Sequence, residues 1–259
     1  MRYGMCMGLD SPQNIGIAKD AGFDYIECNF QSLSRSSEEV FEVFKKELEK
    51  NEIKCEASNC FMPADLPVIG HDYYGEKYVG FIENGMKRGS QIGLEVIVFG
   101  SGAARSIPEG ISYAEGFRQL GDFLKNVVSP LCDKYKMTVV IEPLRKNECN
   151  IINTVKEGTM LSVLSGKENI ACLADLYHMV DDSNDDIRQL KGSIKHAHFS
   201  NPSSTHGMKR GFPKSFEEYD YRSFIDALSF AGCQRCSVEA QCKDYEKEAY
   251  ESGKLIKLI

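Results

Sequence analysis

The sequence has no apolar run approaching the ~20 residues that a membrane-spanning helix needs, so no transmembrane helix is expected. Its opening, MRYGMCMGLDSPQN, lacks a long apolar stretch and a small-residue cleavage site, and no signal peptide is read there. No stripe of Lys and Arg is present either, and the net charge is −7. Affinity for nucleic acid comes largely from neutralising phosphates, so non-specific binding to it is disfavoured. No linker rich in Pro, Gly or Ser and no low-complexity tract divides the 259 residues. That length suits one large domain, taken as residues 1–259. Cys233 and Cys236 have CxxC spacing, but no second CxxC or nearby His completes a four-ligand zinc knuckle. Without an export signal, the ten cysteines read as reduced thiols of a cytoplasmic protein.

What is present is a repeat. Short β-rich runs alternate with longer amphipathic segments. The strand candidates are YGMCMG (3–8), YIECN (25–29), IKCEASN (53–59), VIVFG (96–100), TVVIEP (138–143), ACLADL (171–176), IKHAHFS (194–200) and CSVEA (236–240). Between them, residues 36–52 form a helix in which Ser37 can cap and Val40, Phe41, Val43, Phe44 and Leu48 make one apolar stripe. Another helix spans 113–136, where Pro130 is expected to kink or interrupt it. Eight strands each followed by a helix argue for a parallel α/β sheet, because βαβ crossovers connect parallel strands. Eight units in ~250 residues is the size of a closed (β/α)8 TIM barrel. An open doubly wound sheet is the alternative, but no GxGxxG follows the first strand.

In such a barrel the C-terminal strand ends meet on one face, and chemistry sits there. The fifth strand ends in Glu142, the sixth in Asp175, the seventh in His198 and the eighth in Glu239. Three carboxylates and one imidazole form a hard, oxygen-dominated set that suits Mn²⁺ or Mg²⁺ and has no soft ligand to favour Zn²⁺. Like charges so placed resist ionisation unless a cation compensates them, so one divalent ion is expected on these four residues.

The motifs IEPLRKNE (Glu142, Glu148), LADLYH (Asp175, His178), KHAHFS (His198), Arg210 and SVEA (Glu239) resemble those of the xylose isomerase-like TIM barrels. Within them they are similar to the sugar phosphate isomerase/epimerase group that includes ketose 3-epimerases, over essentially the whole chain. The loop GSGAARSIPEG (100–110) is also similar. The resemblance implies metal ligands Glu142, Asp175, His198 and Glu239, acid/base groups Glu142 and Glu239, and substrate contacts Glu148, His178 and Arg210. Cys6 stands where those epimerases tend to carry an aromatic residue. The implied enzyme epimerises or isomerises a small sugar or sugar phosphate through an enediolate. A carboxylate takes a proton from carbon beside the carbonyl and a second acid returns one. Inosose dehydratase and hydroxypyruvate isomerase chemistry share the same barrel. An endonuclease IV-like repair enzyme is a remote alternative, disfavoured by five histidines and the acidic charge.

Other candidates are weaker. His196 shares parity with His198 and is read as lying deeper, in the core or behind the ligands. His71 and His206 read as loop residues. Glu27 and Glu56 are read as substrate contacts or internal hydrogen-bonded carboxylates. Arg105 is a candidate phosphate or sugar contact, and the glycines of GSGAARS either cradle a phosphate or give a flexible loop. Ser203, Ser204, Lys209 and Arg210 form an anion site or a polar loop. Homo-oligomerisation is left open.

Overall fold

A computed structural model describes residues 1–70, 74–182, 186–202 and 210–259. Eight strands form one closed barrel in sequence order: β1 (Arg2–Met7), β2 (Tyr25–Asn29), β3 (Cys55–Asn59), β4 (Val96–Phe99), β5 (Thr138–Ile141), β6 (Ile170–Asp175), β7 (Ile194–Phe199) and β8 (Arg235–Val238). Every neighbouring pair is parallel, and β1 closes on β8 from Arg2 opposite Arg235 to Met5 opposite Val238. The single-domain (β/α)8 barrel expected from the alternating pattern is the observed fold.

The helices are α1 (Asn14–Ala21), α2 (Phe30–Arg35), α3 (Glu38–Lys50), α4 (Glu76–Ile92), α5 (Gly102–Arg105), α6 (Tyr113–Phe123), α7 (Ser129–Tyr135), α8 (Val155–Ser165), α9 (Leu176–Asp182), α10 (Arg222–Ala231) and α11 (Tyr245–Ile256). None is long and apolar enough to cross a membrane. Ser37 caps α3 by accepting the Val40 N–H at 3.3 Å, as expected. The apolar stripe is narrower than expected. Phe41, Phe44 and Leu48 are buried, whereas Val40 and Val43 are 40% and 47% exposed. Each stands one residue, about 100°, before its phenylalanine, which turns it out of the core. Pro130 interrupts its helix without breaking it. A π-helical turn at Leu124–Val128 precedes α7, whose first turn holds the proline where a missing N–H costs little.

Successive strand residues face opposite sides, so alternate positions point into the barrel. Tyr25, Ala57, Val96, Val98, Val140, Ala171 and Leu173 form a separate apolar cluster there. The larger core lies between strands and helices and includes Phe30, Phe61, Phe99, Phe123 and Phe199. Two residues further along from Val140, Leu173 and His196 come Glu142, Asp175 and His198. The apolar plug therefore gives way to polar groups at one end of the barrel.

Candidate active site

At that end Glu142, Asp175, His198 and Glu239 each offer an atom within 4.8 Å of the others'. Glu142 and Glu239 lie one residue past β5 and β8. Their amides still donate to Phe99 and Phe199 carbonyls at 3.3 Å, so the sheet carries them to the rim. His198 Nδ1 stands 3.2 Å from Glu142 Oε1 and 3.4 Å from Glu239 Oε2. Asp175 Oδ1 accepts the Tyr177 N–H at 2.9 Å, while its buried Oδ2 has no hydrogen-bond partner. Asn59 donates to Glu239 Oε1 at 2.9 Å.

Behind this cluster, a chain of buried polar groups runs into the barrel. Glu27 Oε1 meets His198 Nε2 at 2.8 Å, and Glu27 Oε2 meets His196 Nε2 at 2.8 Å. His196 Nε2 lies 3.5 Å from Ser237 Oγ, which is 2.9 Å from the Tyr25 hydroxyl. Burial alone would raise the Glu27 carboxyl, but the His198 and His196 charges and their hydrogen bonds hold it well below the usual carboxylate range. As a carboxylate, Glu27 accepts Nε2–H from both rings. With Nε2–H so held, it is Nδ1 that faces the glutamates, the nitrogen whose lone pair a bound metal would use.

Arg210 covers the cluster. Its Nη1 pairs with Glu239 Oε2 and lies 3.4 Å from Asp175 Oδ2. Its Nη2 is 3.2 Å from His178 Nε2, and its guanidinium stacks 4.3 Å from the Tyr177 ring centroid. Burial would raise the Glu239 carboxyl, but His198 and Arg210 bring it down to about 2. Asp175 is pushed up, chiefly by burial and also by Glu142, against the pull of Arg210 and His178. Burial favours neutral His198, yet Glu27, Glu239 and Glu142 together raise it well above its ordinary value.

These groups fit a hard divalent cation. Asp175 Oδ2, which accepts no hydrogen bond, two further carboxylates and an oriented imidazole nitrogen converge on one small region. A second group, Cys6 with Glu27 and His198, also converges. There Glu27 and the His198 Nε2 are already joined to each other, and burial and Glu27 push the Cys6 thiol far above its ordinary range. The four-residue cluster is the better seat.

Residues 15–257 match the sequence profile of the xylose isomerase-like TIM barrel family. The chain belongs to that family. No protein of curated function matches the sequence. Among solved structures, it is similar to 3-keto-D-glucoside 4-epimerase from E. coli, with TM-score 0.77, 16% identity and full coverage of both chains. A D-allulose 3-epimerase from Methylomonas sp. is similar with TM-score 0.79 and 16% identity, over 100% of this chain and 97% of that one. A family 2 AP endonuclease from Brucella melitensis is similar with TM-score 0.73 and 15% identity, over 96% of each. At these identities the likeness is one of fold.

Within this xylose isomerase-like barrel the other sequence candidates separate. His178 is buried beside the cluster, with Nε2 3.5 Å from Asp175 Oδ2 and 4.0 Å from Glu142 Oε1. Glu148 is exposed, and it shares with Glu142, His178, Arg210 and Glu239 a cavity of about 340 Å³. His196 lies behind the ligands, as expected, and Glu27 is the internal carboxylate of its two readings. Glu56 is internal too, but at the opposite end of the barrel, 2.7 Å from Arg2 and 3.1 Å from Arg235. Arg105 is no sugar contact. It is fully buried and donates to the Phe99 carbonyl and, at 2.5 Å, to the Glu142 carbonyl, clamping the tips of β4 and β5 together. His71, His206, Ser203, Ser204 and Lys209 lie outside the described residues.

The GSGAARS glycines serve close approach rather than a flexible loop. A Cβ on Gly100 would sit 1.7 Å from Glu142 Oε2, and one on Gly102 would sit 2.6 Å from the Glu148 carbonyl oxygen. Gly100 follows the inward-facing Val98 by two, so the β4 position in the ring of strand tips carries no side chain. The Glu142 carboxylate leans into that space. An invisible partner of this kind has no signal in sequence beyond a glycine at a strand end.

Proposed function

We propose that the protein is a divalent-metal-dependent epimerase or isomerase of a small sugar, with Glu142 and Glu239 as its proton-transfer pair. The observation that carries this reading is the convergence of Glu142, Asp175, His198 and Glu239 within 4.8 Å at the rim of the barrel. Membership of the family and the fold shared with a keto-glucoside epimerase and an allulose epimerase support it. These four residues would hold the ion, Mn²⁺ or Mg²⁺ by their donor chemistry. Bound there, it would supply Lewis-acid stabilisation of the charge that develops on the substrate oxygens.

The side chains do the rest. Glu142 and Glu239 reach the cluster from β5 and β8 and approach His198 Nδ1 from different strands, at 3.2 and 3.4 Å. One takes the proton from the carbon beside the carbonyl and the other returns a proton, so delivery to the same carbon from the other face inverts it. Glu239 is ionised, because His198 and Arg210 bring it down to about 2. His178 and Arg210 orient the substrate hydroxyl and carbonyl oxygens in the cavity that Glu148 borders.

The test is turnover of ketohexoses by the Mn²⁺-supplemented protein in D₂O. Deuterium should appear at the inverted carbon, and Glu142→Gln and Glu239→Gln should each lose roughly 10²–10⁴-fold in kcat. Product free of solvent deuterium would mean a hydride shift and reduce both glutamates to ligands. Nicking of abasic-site DNA with no turnover of any sugar would overturn the sugar reading altogether.

A further inference from the structure

Two cavities open from this site, and the larger one is not needed by a free monosaccharide. The cavity of about 340 Å³ holds both glutamates of the proposed proton-transfer pair. A second, of about 670 Å³, shares with it only Asn59, Cys60 and Glu239. It extends away from Glu142 toward Met7 at the end of β1, Leu9 and Asp10 on the β1–α1 loop, and Ser32 and Val40 on helices α2 and α3. Glu239 is therefore reached from both sides. Asn59, which holds its Oε1, and Cys60, whose backbone turns through a φ of 54°, form the ridge between the cavities. Each volume falls within the roughly 300–1,000 Å³ of small-molecule sites.

The walls of the larger cavity define what would fill it. Among the described residues its one cation, Arg35, is held by both oxygens of Asp65 at 2.8 and 2.9 Å. The other charges facing the space, Asp10 and Glu239, are acidic. A phosphate would meet compensated positive charge and two carboxylates, the reverse of an Arg- or N–H-lined anion site. Met7, Leu9 and Val40 present apolar surface, and Asn29, Ser32 and Asn59 present neutral hydrogen-bonding groups. Val40 is 40% exposed, an apolar side chain turned out of the α3 stripe and into this space. Apolar patches beside neutral amides and hydroxyls match a pyranose ring, with its C–H face and its rim of hydroxyls.

We infer, resting on the reading of the site as a sugar epimerase or isomerase, that the substrate is a keto sugar bearing a neutral glycosidic substituent. The carbonyl-bearing sugar unit lies over the carboxylates in the smaller cavity, and the substituent crosses the Asn59–Cys60 ridge into the larger one.

The experiment compares three probes that differ only at one oxygen: D-fructose, D-fructose 6-phosphate, and 6-O-α-D-glucosyl-D-fructose. Binding to the Mn²⁺-loaded protein is measured by calorimetry and turnover by inversion at the third carbon. The glucosylated ketose should exceed fructose in affinity and in kcat/KM by at least about 10-fold, the low end of what an added group gains in a fitted pocket. Fructose 6-phosphate should be no better than fructose. Val40→Trp and Ser32→Trp, at exposed positions that fill the larger cavity, should return the ratio of glucosylated to free ketose toward one. A preference for the phosphate, equal affinity for the glucosylated and free sugars, or a ratio that both variants leave unchanged would overturn the inference. Binding decides it even without turnover: tight glucosylated-ketose binding that Val40→Trp abolishes, with no inversion of any probe, would keep the second subsite and sink the proposed chemistry instead.

Discussion

Replacing Glu27 with Gln should weaken divalent-metal binding although residue 27 touches no part of the four-ligand cluster except through His198. The wild-type carboxylate accepts from His198 Nε2 and His196 Nε2, both at 2.8 Å, and is fully buried. Glutamine keeps the shape but has one acceptor and one donor. It can accept Nε2–H from only one ring, and its amide forces the other ring to turn its lone pair inward. If that ring is His198, its proton moves to Nδ1, the atom 3.2 and 3.4 Å from Glu142 and Glu239. If it is His196, the proton moves to an Nδ1 that is buried and has no partner. In either case the negative charge that makes the imidazole a better donor is lost. Outer-shell changes of this kind cost roughly 10–100-fold in metal affinity, or about 1.4–2.8 kcal/mol. Calorimetric titration with Mn²⁺ at pH 7.5 measures it, with a thermal melt to show that the variant is folded. Glu56→Gln, at the far end of the barrel, serves as the control and should bind Mn²⁺ as the wild type does. A Glu27→Gln dissociation constant within twofold of wild type would refute the reasoning.

Gly100→Ala should displace the Glu142 carboxylate, since the new methyl group would lie 1.7 Å from its Oε2. A displacement on the ångström scale costs on the order of 10²-fold in turnover; kcat/KM within threefold of wild type would refute the close-approach argument. Glu248→Gln tests a carboxylate remote from the site. Burial would raise Glu248, but the Lys243 N–H at 2.9 Å, the Lys214 ammonium at 2.9 Å and the Asp244 N–H together hold it below its ordinary value. A depressed folded-state value contributes stability above the unfolded carboxyl's own pKa, roughly 4.3, and loses it as the pH falls through the folded value. The variant should be less stable at pH 7 by about 1.5–3 kcal/mol. In urea titrations at pH 7, 5 and 3.5, that gap should hold at the upper two and shrink at the lowest. A pH-independent gap would assign the loss to packing instead.

Much of this protein was determined by local pattern. Strand runs such as Val139-Val140-Ile141 alternate with capped amphipathic helices. A β-strand's two-residue period then decides which acidic residue follows the barrel interior at each tip. Glu142, Asp175, His198 and Glu239 could therefore be placed on one rim from spacing alone, because parallel strands share a direction and their C-terminal ends share a face. Boundary positions such as Ser37 and the interruption at Pro130 were legible for the same reason, since each acts on its own helix.

What only the tertiary structure decided depends on distances across the barrel. Glu27 lies 171 residues from His198 in sequence, and nothing near it signals that its two oxygens bridge two histidines of β7. Arg105 reads in sequence as a candidate phosphate or sugar contact, yet the tips of β4 and β5 bury it completely against their carbonyls. Val40 belongs to a helical apolar pattern by spacing but faces a cavity, because the helix axis was set by Phe41, Phe44 and Leu48 against the core. Gly100 matters through the side chain it lacks, and only closure of the barrel brings Glu142 into that space. Periodicity is a property of one element and survives in its sequence. Contact between elements is set by barrel closure, where residues far apart in the chain compete for the same few ångströms.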